Sequence, residues 1–104
     1  MKVFLHISPD EQRNRLQARL DDPTKRWKFK LEDLDTRKQW DVYQTVYEDA
    51  ITETSTDHAP WWIVPSDRKW TRDVAVANLL LDTFRRLDPQ FPPPDPELDG
   101  LSVE

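Results

Sequence analysis

The residues best suited to chemistry lie in one stretch. From Arg13 to Lys30 the chain carries seven basic side chains (Arg13, Arg15, Arg19, Lys25, Arg26, Lys28, Lys30) against two acidic ones, Asp21 and Asp22, although the whole chain has a net charge of −5. Cations concentrated in an otherwise acidic chain suit a local anionic ligand better than bulk attraction to nucleic acid. Within the stretch, Lys25-Arg26-Trp27-Lys28-Phe29-Lys30 alternates bases with aromatics. Arg15 and Arg19, four residues apart, form a basic row along one helix face. Composition leaves two readings open. The loop can be a solvated basic segment pinned by one aromatic, with the arginines paired to Glu11, Asp22 or the helix dipole through contacts worth about 0.3–0.5 kcal/mol each. Alternatively, these cations hold phosphates.

Other chemistries are excluded by what is missing. Gly100 is the only glycine among 104 residues, so a glycine loop wrapping a phosphate or a dinucleotide cannot lie in this chain. There are no cysteines, which removes disulfides, thiolate metal sites and a cysteine nucleophile and fits a reducing compartment. Two histidines, His6 and His58, are too few for a histidine-rich metal site. His6 is expected to be a hydrogen-bonded structural histidine on a buried strand, and His58 a loop residue. The apolar start at Met1 to Ile7 gives way to Asp10 and Glu11 too soon for a secretory signal, and no run is long enough to span a bilayer. The expected location is cytoplasmic.

The elements that must position these groups follow from pattern. Lys2 to Ile7 is a short β-branched and aromatic run, a strand. Ser8-Pro9-Asp10-Glu11 is a capping box with proline at the first helical position, and the helix it opens is stopped by Pro23 at Asp21 or Asp22. From Leu31 to about Thr54 the spacing predicts one long helix, the longest element, with Trp40, Tyr43, Tyr47 and Ile51 on an apolar stripe; these aromatics read as core rather than as a base-stacking box. Trp61 to Val64 is a second strand ended by Pro65. Ser66 or Asp67 can cap a last helix whose stripe is Trp70, Val74, Ala77, Leu81 and Phe84, closed by Asp88-Pro89. The Pro- and acid-rich residues 89–104 read as a disordered or extended tail.

Strand, helices, strand, helix is a βαα-βα arrangement whose right-handed crossover makes the two strands parallel. Parallel sheets are normally covered on both faces, and two strands are too few to form such a sheet alone. The chain therefore reads as the C-terminal part of a larger α/β domain. Ligands in open α/β sheets bind beyond the carboxyl ends of the strands, here His6-Ile7-Ser8 and Val64-Pro65-Ser66-Asp67.

The ordered series Phe4-Leu5-His6-Ile7-Ser8, Glu11-Gln12, Arg15, Arg19, Asp22-Pro23, Lys25-Arg26-Trp27-Lys28-Phe29, Asp33-Leu34, Arg37, Trp40, Tyr43, Thr54-Ser55-Thr56, Ala59-Pro60-Trp61 and Asp67-Arg68-Lys69-Trp70 resembles the C-terminal portion of the polyphosphate kinase 2 family. These are P-loop enzymes that move phosphoryl groups between inorganic polyphosphate and nucleotides. The resemblance implies a three-layer α/β/α P-loop kinase sandwich, of which residues 1–88 are the helix-rich C-terminal part, with a lid at about 23–40. It implies phosphate contacts from Arg15, Arg19, Lys25, Arg26 and Lys28, and nucleotide-side roles for Trp27, Asp67 and Lys69. Asp67 also reads as a simple helix cap. Lys30 stands where the family commonly has a serine or threonine capping the lid helix, so the start of that helix is expected to be less well held, and residues after Asp88 show no recognised family pattern.

The family's phosphate-binding glycine loop and its magnesium-handling acidic motif have no counterpart here. No catalytic or metal-ligating residue is assigned, magnesium is expected only for the complete enzyme, and the chain is expected to be inactive alone. Its expected partners are polyphosphate, nucleotide and the missing N-terminal half or other subunits, with a homo-oligomer possible, and neither membrane nor nucleic acid. The competing readings are a stand-alone polyanion or single-stranded nucleic-acid binding module and a truncated gene product without a separate role.

Overall fold

Two short parallel strands hold the molecule together. The computed structural model describes residues 1–103. Strand β1 (Lys2–His6) pairs in parallel with β2 (Trp61–Pro65), with Lys2 opposite Trp61 and His6 opposite Pro65. Between them run helix α1 (Pro9–Asp21), a 3-10 turn at Arg26–Lys28, helix α2 (Glu32–Lys38) and helix α3 (Trp40–Thr54); helix α4 (Lys69–Leu87) follows β2. The expected strands, their parallel pairing and the helix-rich α/β order are all present.

Local chemistry sets most boundaries. The Ser8 hydroxyl accepts the Glu11 amide at 3.1 Å and Pro9 occupies the first turn, so one half of the capping box forms. The other half does not, because the Ser8 amide donates to Asp67 Oδ1 at 2.7 Å and the Glu11 carboxylate is held by Arg15. Helix α1 ends at Asp21, two residues before Pro23. Helix α4 closes at Asp88, which adopts φ 41° and returns its amide to the Phe84 carbonyl at 2.9 Å. Asp is among the few residues that tolerate this left-handed conformation.

Three expectations are corrected. The single helix from Leu31 to Thr54 is two helices: Gln39, at φ −93° and ψ 21°, breaks the ladder, and α4, with 19 residues, is the longest element. The apolar pattern changes phase there, since Leu31 and Leu34 do not fall on the stripe of Trp40, Tyr43 and Tyr47 when 3.6 residues make a turn. Neither Ser66 nor Asp67 caps α4; its N-cap is Arg68 and makes no side-chain bond, because Ser66 turns back to the Val64 carbonyl and Asp67 reaches Ser8. His6 is exposed and lies 5.9 Å from the Phe4 ring, so it is not a buried structural histidine.

Packing is thin. Val64 is the one buried apolar residue among those described, and Ser66 the one buried polar residue. Tyr47 meets Phe4 of β1 at 4.9 Å between ring centroids, yet Tyr43 and Tyr47 both stay partly exposed; they face the sheet without being sealed into a core. The α4 stripe lies open, Trp70 at 69% and Phe84 at 58% exposure, while Arg72, Val76 and Leu80 share a cavity with Val3 and Leu5 of β1. The radius of gyration is 21.6 Å, against roughly 13 Å for a compact chain of this length. Residues 89–103 are irregular except for a 3-10 turn at Pro96–Leu98, where Asp95 accepts the Glu97 amide.

Candidate functional site

The carboxyl ends of both strands and the start of α1 meet at one place. The Ser66 amide donates to the His6 carbonyl at 2.7 Å, extending the sheet by one bond, and its hydroxyl donates to the Val64 carbonyl at 2.8 Å. Asp67 accepts the Ser8 amide, and that bond foremost holds its carboxyl below the usual carboxylate range, with the Arg15 charge a smaller cause. Arg15 lies across this junction: Nε donates to Glu11 Oε1 at 2.7 Å, and Nη2 donates to the carbonyls of Ser66 at 2.7 Å and Asp67 at 3.2 Å.

Beside the junction, a groove of about 300 Å³ runs between α1 and α2, lined by Ile7, Gln12, Arg15, Leu16, Arg19, Asp33 and Thr36. Arg37 fixes the far wall by donating from Nη1 to the Pro9 carbonyl at 2.7 Å and to Gln12 Oε1 at 3.1 Å. Arg15 gives Nε and Nη2 to protein acceptors, whereas Arg19 has no hydrogen-bond or ion-pair partner among the described residues, and both border the groove. Arg15 and Arg19 thus share one cleft.

The remaining cations cluster beyond the C-terminus of α1. Asp22 organises the turn: its carboxylate accepts from the Thr24 hydroxyl at 2.7 Å and the Thr24 amide at 2.9 Å, and pairs with Lys25 at 3.2 Å. The Thr24 bonds are the main reason its carboxyl is held below the usual range, and Lys25 contributes less. Arg26 Nε donates to the Leu20 carbonyl at 2.6 Å, which folds the 3-10 turn onto α1. Lys28 Nζ sits 5.3 Å from the centre of the Trp27 ring, a cation–π contact, and Trp27 itself is 77% exposed. The Lys30 amide is taken by Asp33 Oδ2 at 3.0 Å, and α2 starts without a side-chain cap from its N-cap residue, Leu31. Lys69 opens α4, directly after the junction.

The model of the family described as polyphosphate kinase 2 matches residues 1–92. The chain belongs to the polyphosphate kinase 2 family. Over 104 residues it is 49% identical to the AMP/ADP-polyphosphate phosphotransferase of Meiothermus ruber, an alignment covering 100% of this chain and 39% of that protein. The ADP-polyphosphate phosphotransferase of Rhodopseudomonas palustris is 42% identical over 96 residues, 92% of this chain and 33% of the relative. The crystal structure of polyphosphate kinase 2 from Arthrobacter aurescens TC1 superposes with a TM-score of 0.83 at 49% identity, covering 90% of this chain and 34% of that one. The chain therefore spans between a third and two fifths of the length of these relatives. Its two parallel strands and their helices match part of a P-loop kinase sandwich. The likeness also runs past Asp88, through residues where no family pattern was recognised in the sequence.

Among the described residues no helix is long and apolar enough to cross a membrane, and no three His, Cys, Asp or Glu side chains stand together in a way that could hold a metal ion. Two functional details escaped sequence reading. Arg37 reaches 28 residues back to Pro9, a tertiary contact with no local signature. The Arg15 bonds to the loop after β2 span more than 50 residues; only the Glu11–Arg15 pair, at i,i+4 with the acid first, was visible as a favoured helix pairing.

Proposed function

We propose that this polyphosphate kinase 2 chain supplies the lid and the nucleotide-side loop of a phosphotransferase that moves phosphoryl groups between inorganic polyphosphate and nucleoside mono- or diphosphates. The observation that carries this reading is the coincidence of the family match over residues 1–92 with a cleft bordered by Arg19, which has no partner among the described residues, and followed by the exposed Lys25-Arg26-Trp27-Lys28 turn. Phosphoryl transfer depends on positioning and on cancelling charge around the phosphates more than on a general base, so cations without buried carboxylate partners are the groups it needs. Lys25 can exchange Asp22 for a phosphate oxygen at little cost, because Thr24 continues to hold the Asp22 carboxylate. Lys28 and the Nη atoms of Arg26 add further positive charge. Trp27 offers an open ring face for a base, and Asp67 and Lys69 stand on the nucleotide side.

Magnesium is expected for the complete enzyme. The residues described here do not fit the ion, and its ligands belong to other parts of that enzyme.

A chimera tests the reading. Residues 1–92 replace the matching segment of the Meiothermus ruber phosphotransferase, and triphosphate formation is followed with polyphosphate, magnesium and nucleoside diphosphate. The expected result is turnover within about tenfold of the parent, with none from the 104-residue chain by itself. A folded chimera without transfer activity overturns the proposal, and robust turnover by the chain alone overturns its dependence on the rest of the domain. Strong binding of single-stranded nucleic acid by the chain, lost on Trp27→Ala with Lys28→Ala, would favour the polyanion-binding alternative.

A further inference from the structure

The Arg15 guanidinium is placed where a phosphate ligand would be expected, on the helix leading to the lid, yet Nε and Nη2 donate into the protein, which leaves Nη1 as the nitrogen without a protein acceptor among the described residues. Nε is used by Glu11, and Nη2 by two carbonyls of the loop after β2. The bonds close a ring: Ser8 Oγ takes the Glu11 amide, Glu11 holds Arg15, Arg15 holds the Ser66 and Asp67 carbonyls, and the Asp67 carboxylate takes the Ser8 amide. Ser66, at the centre, is 1% exposed, and the side chains of Arg15 and Glu11 are 26% and 27% exposed.

We infer that Arg15 is a positioning residue rather than a phosphate ligand, one that clasps the nucleotide-side loop to the lid-bearing helix α1. This inference rests on the proposed function for what it positions, though not for the existence of the clasp. The chemistry is specific to arginine. A planar fork with several fixed donors serves Glu11 and two carbonyls together, whereas the single ammonium of a lysine cannot satisfy the same acceptors in that geometry. The consequence is mechanical coupling. Lys69 and Asp67 lie within three residues of the clasped carbonyls, and Arg19 lies one turn beyond Arg15 on the same helix, so a shift of α1 when phosphate is bound carries the nucleotide-side loop with it.

The two roles for Arg15 give opposite expectations for its neighbour. A phosphate-binding Arg15 would be freed by Glu11→Ala, which also removes a negative charge paired to Arg15, so polyphosphate affinity would hold or improve. A clasp is broken by the same change.

The test has two arms. In the first, amide hydrogen exchange is measured on the chimera without any phosphate, for the unsubstituted chimera, Arg15→Lys and Glu11→Ala. The clasp predicts exchange at least tenfold faster at Ser8 and Ser66 in both variants, with mid-α4 amides unchanged as the control for folding. Unchanged protection at Ser8 and Ser66 overturns the inference. Should Arg15→Lys lose protection throughout, Glu11→Gln, which keeps an acceptor for Nε, replaces it and must give a smaller effect than Glu11→Ala. In the second arm, in the chimera, Arg15→Lys is expected to lower kcat at least tenfold with the polyphosphate KM within twofold, while Arg19→Ala raises that KM. A polyphosphate KM raised by Arg15→Ala and restored by Arg15→Lys overturns the positioning role. An inactive wild-type chimera defeats the proposed function and leaves the exchange arm to decide the clasp.

Discussion

A carboxylate that accepts a backbone amide is held in its charged form, and Asp67 is such a group: the Ser8 amide is the leading cause of its lowered pKa. Because the folded value lies below the unfolded one, the unfolded chain binds more protons in the interval between them, and the stabilisation is complete above the unfolded pKa and lost as pH falls through the folded value. Protection of the Ser8 amide, corrected for intrinsic exchange, is therefore expected to stay level from pH 7 to about pH 5 and to decline below about pH 4. In Asp67→Asn, which keeps an oxygen acceptor, that decline should flatten; an equally steep decline in the variant would mean that another group controls the junction. Trp27 behaves differently. At 77% exposure it contributes little to packing, so Trp27→Ala should change the stability of the chimera by no more than about 0.5 kcal/mol in urea unfolding, while raising the nucleotide KM several-fold. A large stability loss would show instead that the ring is structural. The charge cluster that includes Trp27 was legible in the sequence as a departure from the acidic background. The commitment of Arg15 to the loop after β2 was not, since its acceptors there are carbonyls, which no residue type announces.

At the scale of elements, the helix starts and stops governed by local chemistry were readable and those governed by tertiary contact were not. Ser8, Pro9 and Pro23 bracket α1 by capping and by the missing proline donor, and Asp88-Pro89 closes α4. The break at Gln39 has no proline or glycine to mark it. There the phase change between the Leu31-Leu34 and Trp40-Tyr43-Tyr47 stripes was the available signal, while the Arg37 bonds that tie α2 to α1 were beyond sequence reach. The exposure of the α4 stripe was not legible for a related reason: periodicity identifies an apolar stripe and does not say which neighbour covers it. Capping energetics give a prediction at this scale. Ser8→Ala removes the hydroxyl that accepts the Glu11 amide and should cost about 1 kcal/mol, measured as a lower urea midpoint of the chimera with an unchanged slope. A change in slope would point to a wider loss of structure than one cap.

The molecule as a whole is an open arrangement. Its axes extend 65 × 39 × 24 Å, the described residues contain a two-stranded sheet, and large apolar side chains on α3 and α4 face outward. Such a surface fits a chain that spans between a third and two fifths of its phosphotransferase relatives, and it explains why the pattern of a buried sheet was legible in the sequence while the burial itself is missing here. The pairing of two strands by a crossover followed from handedness rules; what covers each apolar face does not follow from them. In the proposed function the cations from Arg19 to Lys28 act on polyphosphate. Its most direct test is the polyphosphate KM of the chimera carrying Arg19→Ala, Lys25→Ala and Lys28→Ala together. The expected polyphosphate KM is at least tenfold higher, with the nucleotide KM within threefold of the unsubstituted chimera; a polyphosphate KM unchanged in a folded triple variant would show that these cations do not hold polyphosphate.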